Sequence, residues 1–343
     1  MPSAPPTAIL SGAGSRRFRG GRAAPPTFHF EAHLAIIALL EPLPEHLHDA
    51  LIRHLPGGVE FRSVHSDAAP EAQALAAEAD VLLVWNGPLP SATLAAARGA
   101  KLAQVCDRRP RGVDFFTARR RGLPVCGPDK AGATAAAEHA LLLGLACLRR
   151  LPDALTYSAA SRDLGVGLAG RSVGLLGMDS VGHALARSLL ALGAEVSYWD
   201  GATGAMESAP NGTRAVQRYE VLAAADLVSL HLSPTPDHRA AIGRETLRLM
   251  RRDAVLVNVS SPELIDEVSL YQSIANGRLA GAALDGVIDP TTLPDHPLRG
   301  LPNVLITSGR AAATAEAVDE LAAAAMANAA RVLNGETPNG RWA

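Results

Sequence analysis

Residues 177–182 read Gly-Met-Asp-Ser-Val-Gly, between an apolar run ending at Leu176 and a helix-patterned stretch. Such a turn is built to bind an anion. Gly177 permits a tight bend, and Gly182 lets the helix lie close on the strand. The free N–H groups and dipole of the helix start then favour a phosphate, which makes Ser180 and Val181 candidate contacts as well. The next apolar run ends in Asp200, 18 residues after Gly182. A carboxylate there accepts from ribose hydroxyls and repels a 2′-phosphate. Together these residues predict a dinucleotide site that prefers NAD to NADP.

Asp179 breaks the pattern, standing where bare glycine backbone normally lets the pyrophosphate approach. Two unit charges of like sign 4 Å apart cost on the order of 1 kcal/mol in water and about 4 near a protein surface. Asp is also a favoured N-cap, worth roughly 1 kcal/mol. The two roles are compatible, because a carboxylate can fill the anion position from within. The expectation is NAD binding that is weakened or lost.

The elements around this turn alternate. "LAIIALLE" (34–41), "ADVLLVWNG" (79–87) and "KLAQVCD" (101–107) are short apolar runs separated by helical patterns such as "PEAQALAAEA" and "SATLAAARGA". A long Ala/Leu-rich helix, 134–151, leads to a second series: "SVGLLG", "EVSYWD", "DLVSLHLS", "AVLVNVS", "AGAALDG" and "NVLITS". This rhythm predicts an α/β chain with two doubly wound parallel-sheet domains, Rossmann-like or flavodoxin-like, and a cleft between them. The expected division is an outer domain at 32–150 plus 311–343 and a nucleotide-type domain at 151–310. Residues 1–31, with "SRRFRGGR" but no following apolar signal region, are read as a disordered tail.

Composition narrows the function. The 343 residues are 48% hydrophobic and 19% charged with a net charge of −2, an ordinary globular balance. Aromatics make up only 4%, so base-stacking surfaces are scarce and nucleic acid is not an expected partner. No apolar run is long enough to span a bilayer. Cys106, Cys126 and Cys147 lie far apart without metal or redox spacing, which predicts buried thiols in a reducing compartment, the cytoplasm.

From about residue 34 to 340 the chain resembles the D-isomer-specific 2-hydroxyacid dehydrogenases, the phosphoglycerate and formate dehydrogenase group. "GVD" (112–114), "RRGLPVCGPDKAGATAAAEHALLLGLACLRRLP" (120–152), "LAGRSVGLLG" (168–177), "LHLSPTPDHRAAIG" (230–243), "VNVSSPELIDE" (257–267), "AGAALDG" (280–286) and "DHPLRGLPNVLIT" (295–307) follow family segments in order. The resemblance implies NAD as cofactor, an anionic 2-hydroxy or 2-keto acid as substrate, and a homodimer. It implies cofactor contacts from Gly177, Asp179, Ser180, Val181, Gly182, Asp200, Ser233, His238, Val259 and Asp285. A linker between Pro152 and Gly170 that is shorter than the family's leaves the dimer open.

The family's catalytic side chains are an Arg that binds the substrate, a His that moves a proton and a Glu that holds the His. A guanidinium suits a carboxylate, and an imidazole suits proton transfer at neutral pH. Here the Arg position is Ser261 and the His position is Gly309. The nearest acid for the Glu is Asp289, one residue closer to Asp285 than expected. Losing a general base typically costs about 10²–10⁴-fold in rate. Arg310, beside the vacated His position, and Arg108, Arg109 and Arg111 are either a substitute anion site or solvated surface arginines. His139 and His296 match family positions without catalytic roles, and His231 sits at the end of a strand. "SSPELIDE" reads as a helix start, with Ser261 as N-cap and Pro262 at the first position.

Three functions stay open. The first is a non-catalytic or repurposed member that binds a small ligand. The second is an active NAD-dependent oxidoreductase with a rearranged site using Arg310 and Asp289. The third is a non-redox lyase or isomerase in the same cleft.

Overall fold

A computed structural model describes residues 34–66, 68–108, 112–155, 164–201, 209–232, 236–287 and 290–342. The predicted tail, Ser233, Asp289, Arg109, Arg111 and the middle of the short linker lie outside the described residues. The strands are β1 (Ala35–Leu39), β2 (Val59–Ser63), β3 (Val81–Val84), β4 (Leu102–Val105), β5 (Val125–Cys126), β6 (Ser172–Leu176), β7 (Glu195–Trp199), β8 (Arg214–Ala215), β9 (Leu227–Leu230), β10 (Val255–Asn258), β11 (Gly281–Asp285) and β12 (Val304–Thr307). The helices are α1 (Glu45–Arg53), α2 (Ala69–Glu78), α3 (Ser91–Ala96), α4 (Phe115–Arg121), α5 (Ala133–Leu148), α6 (Leu151–Leu155), α7 (Ser180–Ala191), α8 (Arg218–Ala224), α9 (Arg244–Leu249), α10 (Glu267–Ala275) and α11 (Ala315–Leu333).

Among the described residues the strands form two parallel sheets, ordered β2-β1-β3-β4-β5 and β12-β11-β10-β9-β6-β7-β8. The first has the flavodoxin-like order and the second the Rossmann order extended by one strand, both doubly wound. The predicted fold class is therefore present. In each sheet the winding reverses beside the first strand, between β1 and β3 and between β6 and β9. Ligands of such sheets bind outside the carboxyl ends of the strands at these reversals.

Each sheet is covered on both faces, which is why its central strands are apolar throughout. β3, β4, β9 and β10 are fully buried. α11 returns to the first sheet, placing Leu321, Ala322, Ala325 and Met326 against Ile37, Leu39 and Val81. Burying each large side chain contributes roughly 1.5–3 kcal/mol.

Two expectations need correction, and one strand was missed. α5, drawn with the outer domain, packs on the second sheet: Leu143, Cys147 and Leu148 join Val173, Leu175 and Val257 in one core. Gly144 makes that approach possible, since a Cβ there would lie 2.7 Å from Leu227. The boundary at residue 150 therefore separates this helix from its own core. The "SSPELIDE" start keeps Ser261 as its cap, accepting from Glu263 N at 3.4 Å, and Pro262 in its first turn, but it runs only as a single 3-10 turn over Pro262–Leu264. It stops because Leu264 and Ile265 enter the core, and α10 begins afresh with Asp266 as its cap. β2, whose residues are all half-buried, was not expected from the sequence.

Candidate functional site

Gly177 leaves β6 with φ of +95°, a conformation that L side chains rarely adopt. A Cβ there would fall 2.0 Å from the His231 carbonyl oxygen. Gly182 packs almost as closely, its Cβ position 3.2 Å from the His231 side chain. The two glycines thus bring the start of α7 down onto the ends of β6 and β9.

At the top of this turn Asp179 caps α7. Its Oδ1 accepts from Val181 N at 3.1 Å and Gly182 N at 2.9 Å. Those are amides that an anion at a helix start would use. The diphosphate of a dinucleotide fits this turn poorly as it stands, because two of the turn's amides are taken and a negative charge already lies where it would approach.

Arg108 reaches the same point from the loop after β4. Its Nη1 donates to the carbonyls of Asp129 (2.9 Å) and Ala131 (3.0 Å). Its Nη2 donates to Ser180 Oγ at 2.8 Å and lies 3.6 Å from Asp179 Oδ2. Ser180 Oγ donates in turn to the Asp129 carbonyl at 3.2 Å. The Arg108 side chain is 16% exposed, so it is not a solvated surface arginine. The sequence offered no signal for this, since its partners lie 21 to 72 residues away.

His231 closes the floor. It is fully buried, with Nε2 2.9 Å from Ser229 Oγ and Nδ1 3.8 Å from Asp179 Oδ1. Burial pushes its pKa down to about 4; Asp179 pulls upward and Arg108 adds to the lowering. The imidazole is therefore neutral at physiological pH and is not an acid–base group for the cleft.

The remaining predicted cofactor residues spread along the strand ends. Asp200 is exposed directly after β7. His238 faces the same edge, its Nε2 3.7 Å from the Cβ position of Gly201. Val259 is buried in the core beside α5. Asp285 is 1% exposed. Its Oδ1 accepts from Thr307 Oγ1 and Arg310 N, both at 2.6 Å, and its Oδ2 from Ala311 N at 2.7 Å. Asp285 thus pins the turn after β12.

That turn holds Gly309 at φ of +70°. Glycine here permits the turn and supplies no proton-transfer group. Gly309 and Arg310 open into a cleft of about 820 Å³, whose other wall includes Glu41, Trp85 and Asp107. Glu41 was missed from the sequence. Its Oε1 accepts from the successive amides of Trp85, Asn86 and Gly87, fixing the loop after β3. The imidazole lining this cleft among the described residues is His46, exposed on α1. His139 contacts Thr307 Oγ1 at 3.1 Å, and His296 contacts Glu267 at 3.3 Å. Ser261, at the Arg position, is buried and caps its own 3-10 turn.

Comparison with known proteins places this geometry. Residues 141–310 match the family description "D-isomer specific 2-hydroxyacid dehydrogenase, NAD binding domain". A glyoxylate reductase from Korarchaeum cryptofilum is 31% identical over 235 residues, 66% of this chain and 71% of that protein. A D-3-phosphoglycerate dehydrogenase from Mycobacterium leprae is 31% identical over 283 residues, 81% of this chain. The chain spans about half the length of that relative, 53%. A solved Thermus thermophilus protein superposes with a TM-score of 0.73 at 29% identity, over 90% of this chain and 100% of the other.

Proposed function

The chain belongs to the D-isomer-specific 2-hydroxyacid dehydrogenase family, and within it we propose a member that has lost hydride transfer and keeps its cleft to bind a small ligand. The observation that carries this reading is the Asp179 carboxylate, hydrogen-bonded to the amides of Val181 and Gly182 where a diphosphate would lie. The replaced catalytic positions support it. Gly309 has no proton to exchange, and Ser261 has no charge to offer a carboxylate and is turned into its own backbone. The ligand expected in the cleft is a small acid of the 2-hydroxy or 2-keto class, with Arg310 as the available guanidinium.

A second reading, a working NAD-dependent oxidoreductase with a rearranged site, draws on one observation. Arg310 and His46 line the same cleft, so a guanidinium and an imidazole are both within it. The test is direct. The purified full chain is mixed with NADH and, in turn, glyoxylate, pyruvate and hydroxypyruvate, and absorbance at the nicotinamide band is followed. The first reading expects no NADH consumption above the enzyme-free rate. Sustained turnover that falls on His46→Ala or Arg310→Ala would replace it with the second.

A further inference from the structure

The Asp179 position is held by more than a helix end. Arg108 is fixed before it meets the turn, because two backbone carbonyls take its Nη1. Its Nη2 is thereby aimed at Ser180 and Asp179. Beneath them lies His231, with a 0% exposed side chain and an Nδ1 that makes no hydrogen bond among the described residues. A fixed guanidinium, a helix N-terminus and a buried ring nitrogen aimed at one point form an anion seat.

We propose that Arg108 is a specificity-determining residue for dinucleotides, acting from the opposite sheet: it holds Asp179 in the diphosphate seat of the native chain, and it takes the diphosphate when that carboxylate is removed. One guanidinium cannot satisfy both anions. With Nη1 committed to carbonyls and one Nη2 proton on Ser180 Oγ, the remaining Nη2 proton faces either the Asp179 carboxylate or a phosphate oxygen. A diphosphate that entered beside Asp179 would meet a like charge and find both helix amides taken. Without the carboxylate, the same seat keeps one full positive charge and two freed donors. The inference rests on the reading that Asp179 keeps dinucleotide out.

NADH affinity, measured by fluorescence titration on the full chain, tests it as a cycle. Asp179→Gly is expected to bind at least about tenfold tighter than the native chain. Adding Arg108→Ala to that variant should weaken binding again by about tenfold to a hundredfold, the range of one charge-assisted contact. The gain should also shrink with added salt while Arg108 is present. Equal affinity of Asp179→Gly with and without Arg108→Ala overturns the role of Arg108. Absence of NADH binding by Asp179→Gly overturns it as well. Asp179→Asn keeps a side-chain acceptor for the helix amides and should give the same order with smaller gains, which covers a glycine variant that does not fold. Keto-acid turnover by the native chain would contradict the proposed function while leaving this cycle readable.

Discussion

His231 directs its Nδ1 at the Asp179 carboxylate from 3.8 Å, close enough to feel the charge and too far to share a proton. Its pKa falls from 6.5 to about 4 in the folded chain because burial outweighs that attraction. Between these values the unfolded chain binds the proton and the folded chain does not. Stability is therefore complete above about pH 6.5 and is lost as pH falls toward 4, by on the order of 3 kcal/mol in total. Urea unfolding of the native chain and His231→Gln at pH 5 and pH 7 measures this. The native chain should lose more stability than the variant on acidification; equal losses would show that His231 is not buried neutral.

Removing the cap should destabilise the protein on its own. Asp179→Ala frees two amides at the start of α7 and leaves the Arg108 charge without its carboxylate. A loss of about 1–2 kcal/mol is expected in urea unfolding at pH 7. Unchanged stability would mean that the cap contributes nothing and that water serves those amides equally well.

Gly177 tolerates no side chain. Its φ of +95° strains any L residue, and a Cβ would sit 2.0 Å from the His231 carbonyl. Gly177→Ala should cost at least about 2 kcal/mol. A fully stable variant, judged by thermal melting, would show that the turn can rearrange and that the approach of α7 to β9 is not fixed.

How much of this was legible depended on range. Gly177 and Asp179 were readable because the turn is local: the cap joins Asp179 to residues two and three positions on. The apolar strands of both sheets were readable because parallel strands are buried on both faces. β2 was not, since Glu60 and Arg62 interrupt it and pair with each other at 2.7 Å on a half-buried surface. The sheet covered by α5 was hidden too: an Ala/Leu-rich helix is apolar on most sides, and its choice of sheet shows only in tertiary contacts such as Gly144 against Leu227. Arg108 was hidden for a plainer reason. Nothing in "CDRRPRGVD" states that Asp129 and Ala131 will offer their carbonyls to it.

The cysteines give a chemical check on packing. Burial raises Cys126 to about 11 and Cys147 to about 12, and Cys106 lies well above its ordinary value. Thiolate, the reactive form, is then on the order of one part in a thousand or less at pH 8. Iodoacetamide should leave all three unlabelled in the folded protein and label them in urea, read by intact mass. Rapid labelling of Cys147 in the folded chain would mean that α5 does not stay packed on the second sheet.

An internal carboxylate in the diphosphate seat should keep NADH from binding, which calorimetric titration of the native full chain measures. The expected result is no saturable heat up to about millimolar NADH, a binding free energy weaker than about −4 kcal/mol. Saturation at micromolar NADH, with one site per chain, would contradict it.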